Sequence, residues 1–479
     1  MDRFDERRSQ FMKEVGDGIA VIHAGSETVR SSDVHHVFRQ DSDFFFLTGF
    51  AEPDAVAVFD PSHESERYVL FVRPRDPEQE SWNGRRAGVT GGVERFGADA
   101  AYPLSDLEQV MRDRLRGRRA LWYDGTDQRL TGALGSARAY RVRAGVTVPD
   151  RIESASRVLH EMRLIKSPTE IEALREACRI SAIAHLEAMR FAAPHMTERE
   201  VQAAIEFLFR SMGSPHDGYP SIVASGVNAV ILHYIENGQT MNDGDLLLID
   251  AGAEYDYMSA DITRTFPVNG IFTAAQRAVY DVVLAAQEDA ITACEPGEPI
   301  TRIHDVAVAT LTDGLVRLGL VPGPAEDAVR FGWYRPFYFH GTSHWLGSDV
   351  HDAGAYRIEG RGRPIEPGMA FTVEPGLYIA PEKTELLLHR LEYDPIADAE
   401  VAYLKGAAVL KAEREEREAS AEVVVHQVPE EFLGIGVRIE DDVLMTATGP
   451  EILTREVPVD PDDIEAVCAE PPQILNARA

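Results

Sequence analysis

A chain of 479 residues exceeds what one ordinary hydrophobic core can organise, so at least two domains are expected. Hydrophobic residues at 44% and charged residues at 27% exclude a disordered chain. A formal net charge of -31 argues against nucleic acid and anionic membranes as partners, because both need clustered cationic groups.

The N-terminus, Met1-Asp2-Arg3-Phe4-Asp5-Glu6, is charged and lacks the apolar core of a signal segment. Cys178, Cys294 and Cys468 lie far apart, which indicates neither a zinc cluster nor a disulfide framework. A cytoplasmic protein is expected, with no membrane contact.

Residues 55–59 and 68–72 are β-rich runs bounded by Pro and Asp. Residues 107–116 predict a helix closed by Gly117. The character of the chain changes at residues 159–166. Ser167-Pro168-Thr169-Glu170 then combines an N-cap, a proline at the first helical position and a capping-box glutamate. Ile171, Leu174 and Cys178 follow at helical spacing, so a long helix opens the second domain. Thr197-Glu198-Arg199-Glu200 and Thr273-Ala274-Ala275-Gln276 cap two more helices, the second running to about Cys294. Between and after them, residues 229–234, 245–251, 258–268, 370–379 and 434–445 are β signals. Helices and strands in this order predict an α+β domain. Residues 381–432 separate two strong β signals and read as an insertion, with an exposed helix over 397–422.

An apolar strand, Leu246-Leu247-Leu248-Ile249, ends in Asp250. A hairpin turning at Tyr255-Asp256 places Asp250 opposite Asp261, with Cβ atoms about 5 Å apart. Two carboxylates held so repel each other, and a cation would relieve them. The spacing alone leaves an exposed acidic pair equally open. Three later acceptors join them: His344 in Phe339-His340-Gly341-Thr342-Ser343-His344-Trp345-Leu346-Gly347, Glu374 in Phe371-Thr372-Val373-Glu374-Pro375-Gly376, and Glu440 in Gly436-Val437-Arg438-Ile439-Glu440. Taken singly, His344 could be a satisfied core histidine, and either glutamate could pair with an arginine. The sequence holds no G-x-S-x-G elbow, no P-loop and no H-E-x-x-H.

Asp250, Asp261, His344, Glu374 and Glu440, in that order and context, resemble the five metal ligands of the pita-bread metallopeptidases, over nearly all of residues 159–450. The run Asp261 to Gly270 and the run His340 to Asp352 are similar to the proline-directed branch of that family. Residues 39–50, Glu52-Pro53-Asp54-Ala55 and Ser81-Trp82-Asn83-Gly84-Arg85-Arg86-Ala87-Gly88 resemble the N-terminal domain of bacterial aminopeptidase P, which methionine aminopeptidase lacks.

The resemblance implies a smaller α/β N-terminal domain over 1–159 and a pita-bread (creatinase/methionine aminopeptidase-like) catalytic domain over 160–479, with the insertion at 381–432. It implies two divalent ions, best matched by Mn2+ with Zn2+, Co2+ or Mg2+ as alternatives. Asp250 and Asp261 hold one ion, Asp261 and Glu440 bridge both, and His344 and Glu374 complete the second. It implies hydrolysis of the bond between an N-terminal residue and a following proline, in peptides with proline at the second position. Glu374 takes the proton of the attacking water and passes it to the leaving nitrogen. His233 and His351 face the substrate carbonyl and the developing oxyanion, and His340 lines the proline side. Arg438 orients Glu440, Tyr378 supports the site, and Trp82 covers a pocket, in its own or a neighbouring subunit. A homo-dimer or homo-tetramer is implied. Prolidase, which cuts Xaa-Pro dipeptides, shares these motifs and is the alternative. Metal-free amidinohydrolases and binding modules of this fold have lost ligands, whereas all five positions carry ligating side chains here.

Overall fold

The computed structural model describes residues 3–473. The chain divides into two compact units, Met1–Arg163 and Leu164–Ala479.

The first unit is built on a six-stranded sheet: β1 (Ile19–His23), β2 (Val56–Phe59), β3 (Tyr68–Val72), β4 (Ala100–Pro103), β5 (Ala120–Trp122) and β6 (Arg151–Glu153), in the order β4-β3-β2-β1-β5-β6. β1, β2 and β3 pair antiparallel, and the outer pairs are parallel. Every residue of β2 and β3 is buried, because helices cover both faces and leave no polar side for alternation to mark. One of those helices is Leu107–Arg114, within the span its periodicity predicts.

The second unit mixes helices with short antiparallel strands. α1 (Pro168–Phe191), α2 (Glu198–Ser211) and α3 (Ala274–Thr292) all start at the capping boxes seen in the sequence: Ser167 with Glu170, Thr197 with Glu200, Thr273 with Gln276. Each box satisfies two backbone N–H groups that helix geometry leaves without partners. α4 (Thr301–Arg317) follows. Val201 and Phe209 of α2, Val279 and Val283 of α3, and Leu311 of α4 share one core with the strand residues Leu247, Ile249 and Phe266. A fully buried side chain of this size contributes about 1.5–3 kcal/mol. The helices thus press on one side of the strands, and the site occupies the other. Among the described residues, no helix is long and apolar enough to cross a membrane.

The strands are shorter than their sequence signals. The β signal at 245–251 becomes β8 (Leu246–Asp250), preceded by β7 (Ile222–Ser225). The signal at 258–268 breaks into β10 (Met258–Ser259) and β11 (Thr263–Pro267), with β9 (Ala253–Tyr255) before them. The signal at 370–379 breaks into β12 (Ala370–Val373) and β13 (Gly376–Tyr378). The signal at 434–445 breaks into β16 (Gly436–Arg438) and β17 (Asp441–Thr446). In each case the chain leaves one strand partner for another, since β12 pairs with β17 while β13 pairs with β16. Residues 229–234 form no strand: a 3₁₀ turn, Gly226–Val230, takes their place. The excursion at 381–432 is an antiparallel pair, β14 (Glu385–His389) with β15 (Val423–Gln427), carrying α5 (Pro395–Lys405) and α6 (Ala407–Ser420). Gly406, at φ 93°, splits the single helix expected there into two.

Candidate metal centre

The four acidic candidates sit where the strands stop. Asp250 ends β8, Asp261 lies between β10 and β11, Glu374 follows β12, and Glu440 precedes β17. A break of this kind turns a side chain out of the sheet's alternation and into the space between sheets.

The Asp250–Asp261 hairpin differs from expectation by a register of two. Asp250 stands opposite Thr263, Leu246 opposite Pro267, and Tyr255 opposite Met258. The turn is the two-residue type, with Asp256 at φ 46° and Tyr257 at φ 63°, one residue later than Tyr255-Asp256. Moving the turn by one residue shifts the pairing by two, and a shift of two keeps every side chain on its face. Asp261 is therefore a diagonal neighbour of Asp250, not its partner, and the two still meet. The Tyr219 hydroxyl lies 2.5 Å from Asp250 Oδ1 and 2.5 Å from Asp261 Oδ1. One phenolic hydrogen cannot serve two carboxylates, so the second contact calls for a proton or a cation on the pair. Gly252 is required beside them: a Cβ there would stand 1.8 Å from the Ala260 carbonyl oxygen.

His344 comes from the loop bridged to β12 through Trp345 and Phe371. Its Nδ1 lies 3.1 Å from the Trp345 carbonyl, so a hydrogen donated there leaves the Nε2 lone pair facing the acids. Nε2 is 3.3 Å from Asp261, 3.7 Å from Glu374 and 4.0 Å from Glu440. Ligand atoms of Asp261, His344 and Glu440 all lie within 4.8 Å of one another. Thr263 donates its hydroxyl to Glu440 at 2.6 Å. The Asp261 N–H donates to Asp442 at 2.9 Å, and Arg264 donates to the Glu440 carbonyl at 2.6 Å while pairing with Asp441 at 2.7 Å.

Arg438 reaches Asp250 most closely, donates to Thr263 Oγ1 at 2.9 Å and to the Tyr378 hydroxyl at 3.2 Å, and stands 3.9 Å from Glu440. His340 Nε2 lies 2.9 Å from that same Tyr378 hydroxyl, and its Nδ1 is 3.6 Å from Glu374. The His351 ring meets the His344 ring edge-on at 4.4 Å. The four acids, Arg438 and the histidines His233, His340, His344 and His351 line one cavity of about 710 Å³, whose wall also carries apolar side chains such as Ile222, Leu232 and Val350; Tyr378 and Thr263 lie buried behind it. Trp82 belongs to the first unit, on the helix Pro77–Asn83, where it is 83% exposed.

Reasoning from sequence passed over Tyr219, Thr263 and Asp442. Tyr219 carries no local signal beyond an adjacent glycine and proline. Thr263 and Asp442 stood inside motifs that drew notice for their neighbours.

The electrostatics ask for positive charge. Among the described residues that line the cavity, the carboxyls of Asp250, Asp261, Glu374 and Glu440 share one guanidinium, that of Arg438. Burial pushes Asp250 up to about 6, with Arg438 opposing and Asp261 adding repulsion. Burial raises Glu374 to about 7. Glu440 lies well above the ordinary carboxylate range, through burial first and then the charges of Asp261 and Glu374. Burial works against a charged His344, yet the hydrogen bond and charge of Asp261 and the charge of Glu374 outweigh it and lift the imidazole to about 9. Burial lowers His340 to about 3, and Arg438 acts in the same direction. An oxygen-rich donor set with one imidazole fits divalent cations such as manganese, zinc or cobalt.

A pH dependence follows for the cation-free protein. Asp250, Glu374 and His344 all titrate higher folded than their ordinary 3.8, 4.5 and 6.5. The folded state therefore binds the extra protons, and stability falls as pH rises. The carboxyl contributions, present below about pH 4, are lost as pH passes about 6 and 7. The imidazole contribution, present below 6.5, is lost as pH passes about 9. The melting temperature in chelator should fall from pH 6 to pH 9, and added Mn2+ should raise it by a margin that widens with pH. A melting temperature indifferent to metal across that range would remove the cation from the site.

The sequence profile of metallopeptidase family M24 matches residues 172–447, the stretch that holds all five candidate ligands. The chain belongs to family M24. Members of M24 are metallopeptidases, so it is a metal-dependent hydrolase with the pita-bread fold. Ahead of the M24 region, the profile of the aminopeptidase P N-terminal domain matches residues 4–122. Among M24 relatives, an Escherichia coli protein named Xaa-Pro aminopeptidase is 40% identical over 470 residues, 97% of either chain. A Haemophilus influenzae protein of the same name is 38% identical over 465 residues, 97% of this chain and 96% of that one. Among solved structures, an aminopeptidase from Pseudomonas aeruginosa superposes with a TM-score of 0.86 at 40% identity, covering 97% of both chains. The zinc-substituted E. coli aminopeptidase P in complex with product gives 0.85 at 39% identity, again covering 97% of both.

Proposed function

We propose that this protein removes the N-terminal residue from peptides whose second residue is proline, with two divalent ions, Mn2+ by preference, held by Asp250, Asp261, His344, Glu374 and Glu440. The observation that carries the reading is the meeting of Asp261, His344 and Glu440 within 4.8 Å, in a cavity that Asp250 and Glu374 also line. The aminopeptidase P character of the N-terminal region supports the choice of substrate.

Bound ions would polarise the scissile carbonyl and acidify a water. The chain's own residues do the rest. Glu374, on the cavity wall, takes a proton from the attacking water and gives it to the departing proline nitrogen. His233 and His351 offer imidazoles from the cavity wall to the substrate carbonyl and the charge that develops on it. His340, kept neutral, faces the proline side and leans on Tyr378. Arg438 holds Asp250 and Tyr378 in place.

The test is a comparison of Ala-Pro-Ala with Ala-Pro in Mn2+-loaded protein, before and after chelation. Release of alanine from the tripeptide, lost with the metal, is the expected result. Cleavage of the dipeptide alone would make the protein a prolidase, and full activity without metal would overturn the mechanism.

A further inference from the structure

The loop between β7 and β8 supplies Leu232, His233 and Ile235 to the cavity wall. Apart from the 3₁₀ turn Gly226–Val230 it has no regular structure near the cavity. Loops without ladder hydrogen bonds move, yet an imidazole that meets a reacting carbonyl must be held in place. His233 is itself exposed, so packing around its ring does not hold it.

The hold comes from Glu198. This first residue of α2 is fully buried. Its Oε1 accepts hydrogen bonds from the Ser225 N–H at 2.8 Å, the Ser225 hydroxyl at 2.8 Å and the Asn228 amide at 3.0 Å. Its Oε2 accepts from the Tyr234 hydroxyl at 2.9 Å and the Gln239 N–H at 2.8 Å. The Glu198 N–H donates in turn to the Gln239 carbonyl at 3.0 Å. A carboxylate sealed from water needs every such donor, and these come from the loop's entrance, its first turn, its tip and its return. The helix N-terminus adds a favourable field for the charge.

Around His233 burial alternates: His233 is exposed, Tyr234 buried, Ile235 exposed. Drawing Tyr234 inward to Glu198 therefore turns His233 outward to the cavity. The loop's root is equally defined, because Ile222 of β7 stands opposite Asp250 in β8. Glu198 thus ties the loop's far end to a strand registered on a metal-binding carboxylate.

We propose that Glu198 is a positioning residue for His233, holding the loop so that the imidazole meets the substrate without rearrangement. The proposal rests on the role given to His233 above.

The test measures kcat and KM for Ala-Pro-Ala in Mn2+-loaded E198Q, H233A and the double variant. Glutamine keeps the shape of Glu198 but turns an amide NH2 towards donors. E198Q should lower kcat about 10–100-fold, the scale of a small misplacement, with unchanged metal content and little change in KM. In the H233A background the same change should cost less than about 3-fold, because the two act through one group. Equal losses in both backgrounds, or a wild-type kcat in E198Q, would overturn the proposal alone. A wild-type rate in H233A would refute the assignment of His233 and the proposal with it. Should E198Q not fold, Tyr234→Phe removes one donor and keeps the ring. Its smaller loss of kcat should likewise vanish in H233A, and persistence there would overturn the proposal.

Discussion

Replacing Asp261 by asparagine is expected to abolish turnover, with kcat/KM down by about 10³-fold or more and the purified protein unable to retain its metal through dialysis. Asp261 is the acid nearest His344, at 3.3 Å, and it shares the Tyr219 hydroxyl with Asp250. Its backbone N–H is fixed on Asp442 and its strand neighbour Thr263 on Glu440, so the substituted side chain stays where the carboxylate was. Asparagine has nearly the same shape. It loses one negative charge and can turn an NH2 group towards the space the cations need. The fold should therefore survive, as circular dichroism and the melting temperature in chelator would show, while elemental analysis finds the metal gone. Metal content and rates like those of the unaltered protein would remove Asp261 from the centre.

Glu374→Gln is expected to act differently. It should lower kcat by about 10²–10⁴-fold, the usual scale for losing a general base and acid, and change KM far less. Glu374 stands at the cavity side of the cluster, 3.7 Å from His344 and 3.6 Å from His340. Its backbone N–H is held by the Thr342 carbonyl at 2.8 Å, so a glutamine keeps the position. Its carboxylate faces the cavity, where it can take a proton from an attacking water and pass it to a leaving nitrogen. Glutamine can do neither. Asp261, His344 and Glu440 remain to bind metal, so metal content should fall less than in D261N. Initial rates and metal analysis on the two variants side by side would check this. A variant with raised KM and intact kcat would show that Glu374 only binds.

Much of this was legible beforehand because it is local. The capping boxes at Ser167, Thr197 and Thr273 are written within four residues, and all three helices begin there. The apolar run Leu246–Ile249 is buried throughout, and its terminal Asp250 reaches the cavity. The expected helix over 397–422 failed at Gly406, where helix-forming neighbours outweighed one glycine in the reading but not in the backbone. The hairpin register failed by two because a turn's position depends on which residues accept positive φ, and Asp256 and Tyr257 both do.

The sequence alone determined which side chains could bind a metal, the helices that frame them, and the family whose order of acids this chain repeats. It could do so because caps, periodicity and motif order are properties of neighbouring residues. Only the tertiary structure decided that strands break at each acid, that Tyr219 joins Asp250 to Asp261, that Arg438 lies closest to Asp250, and that Glu198 holds the loop of His233. Those facts join residues tens to hundreds of positions apart. Such contacts are chosen by packing and by the need of buried polar groups for partners, and no local pattern records which partner wins.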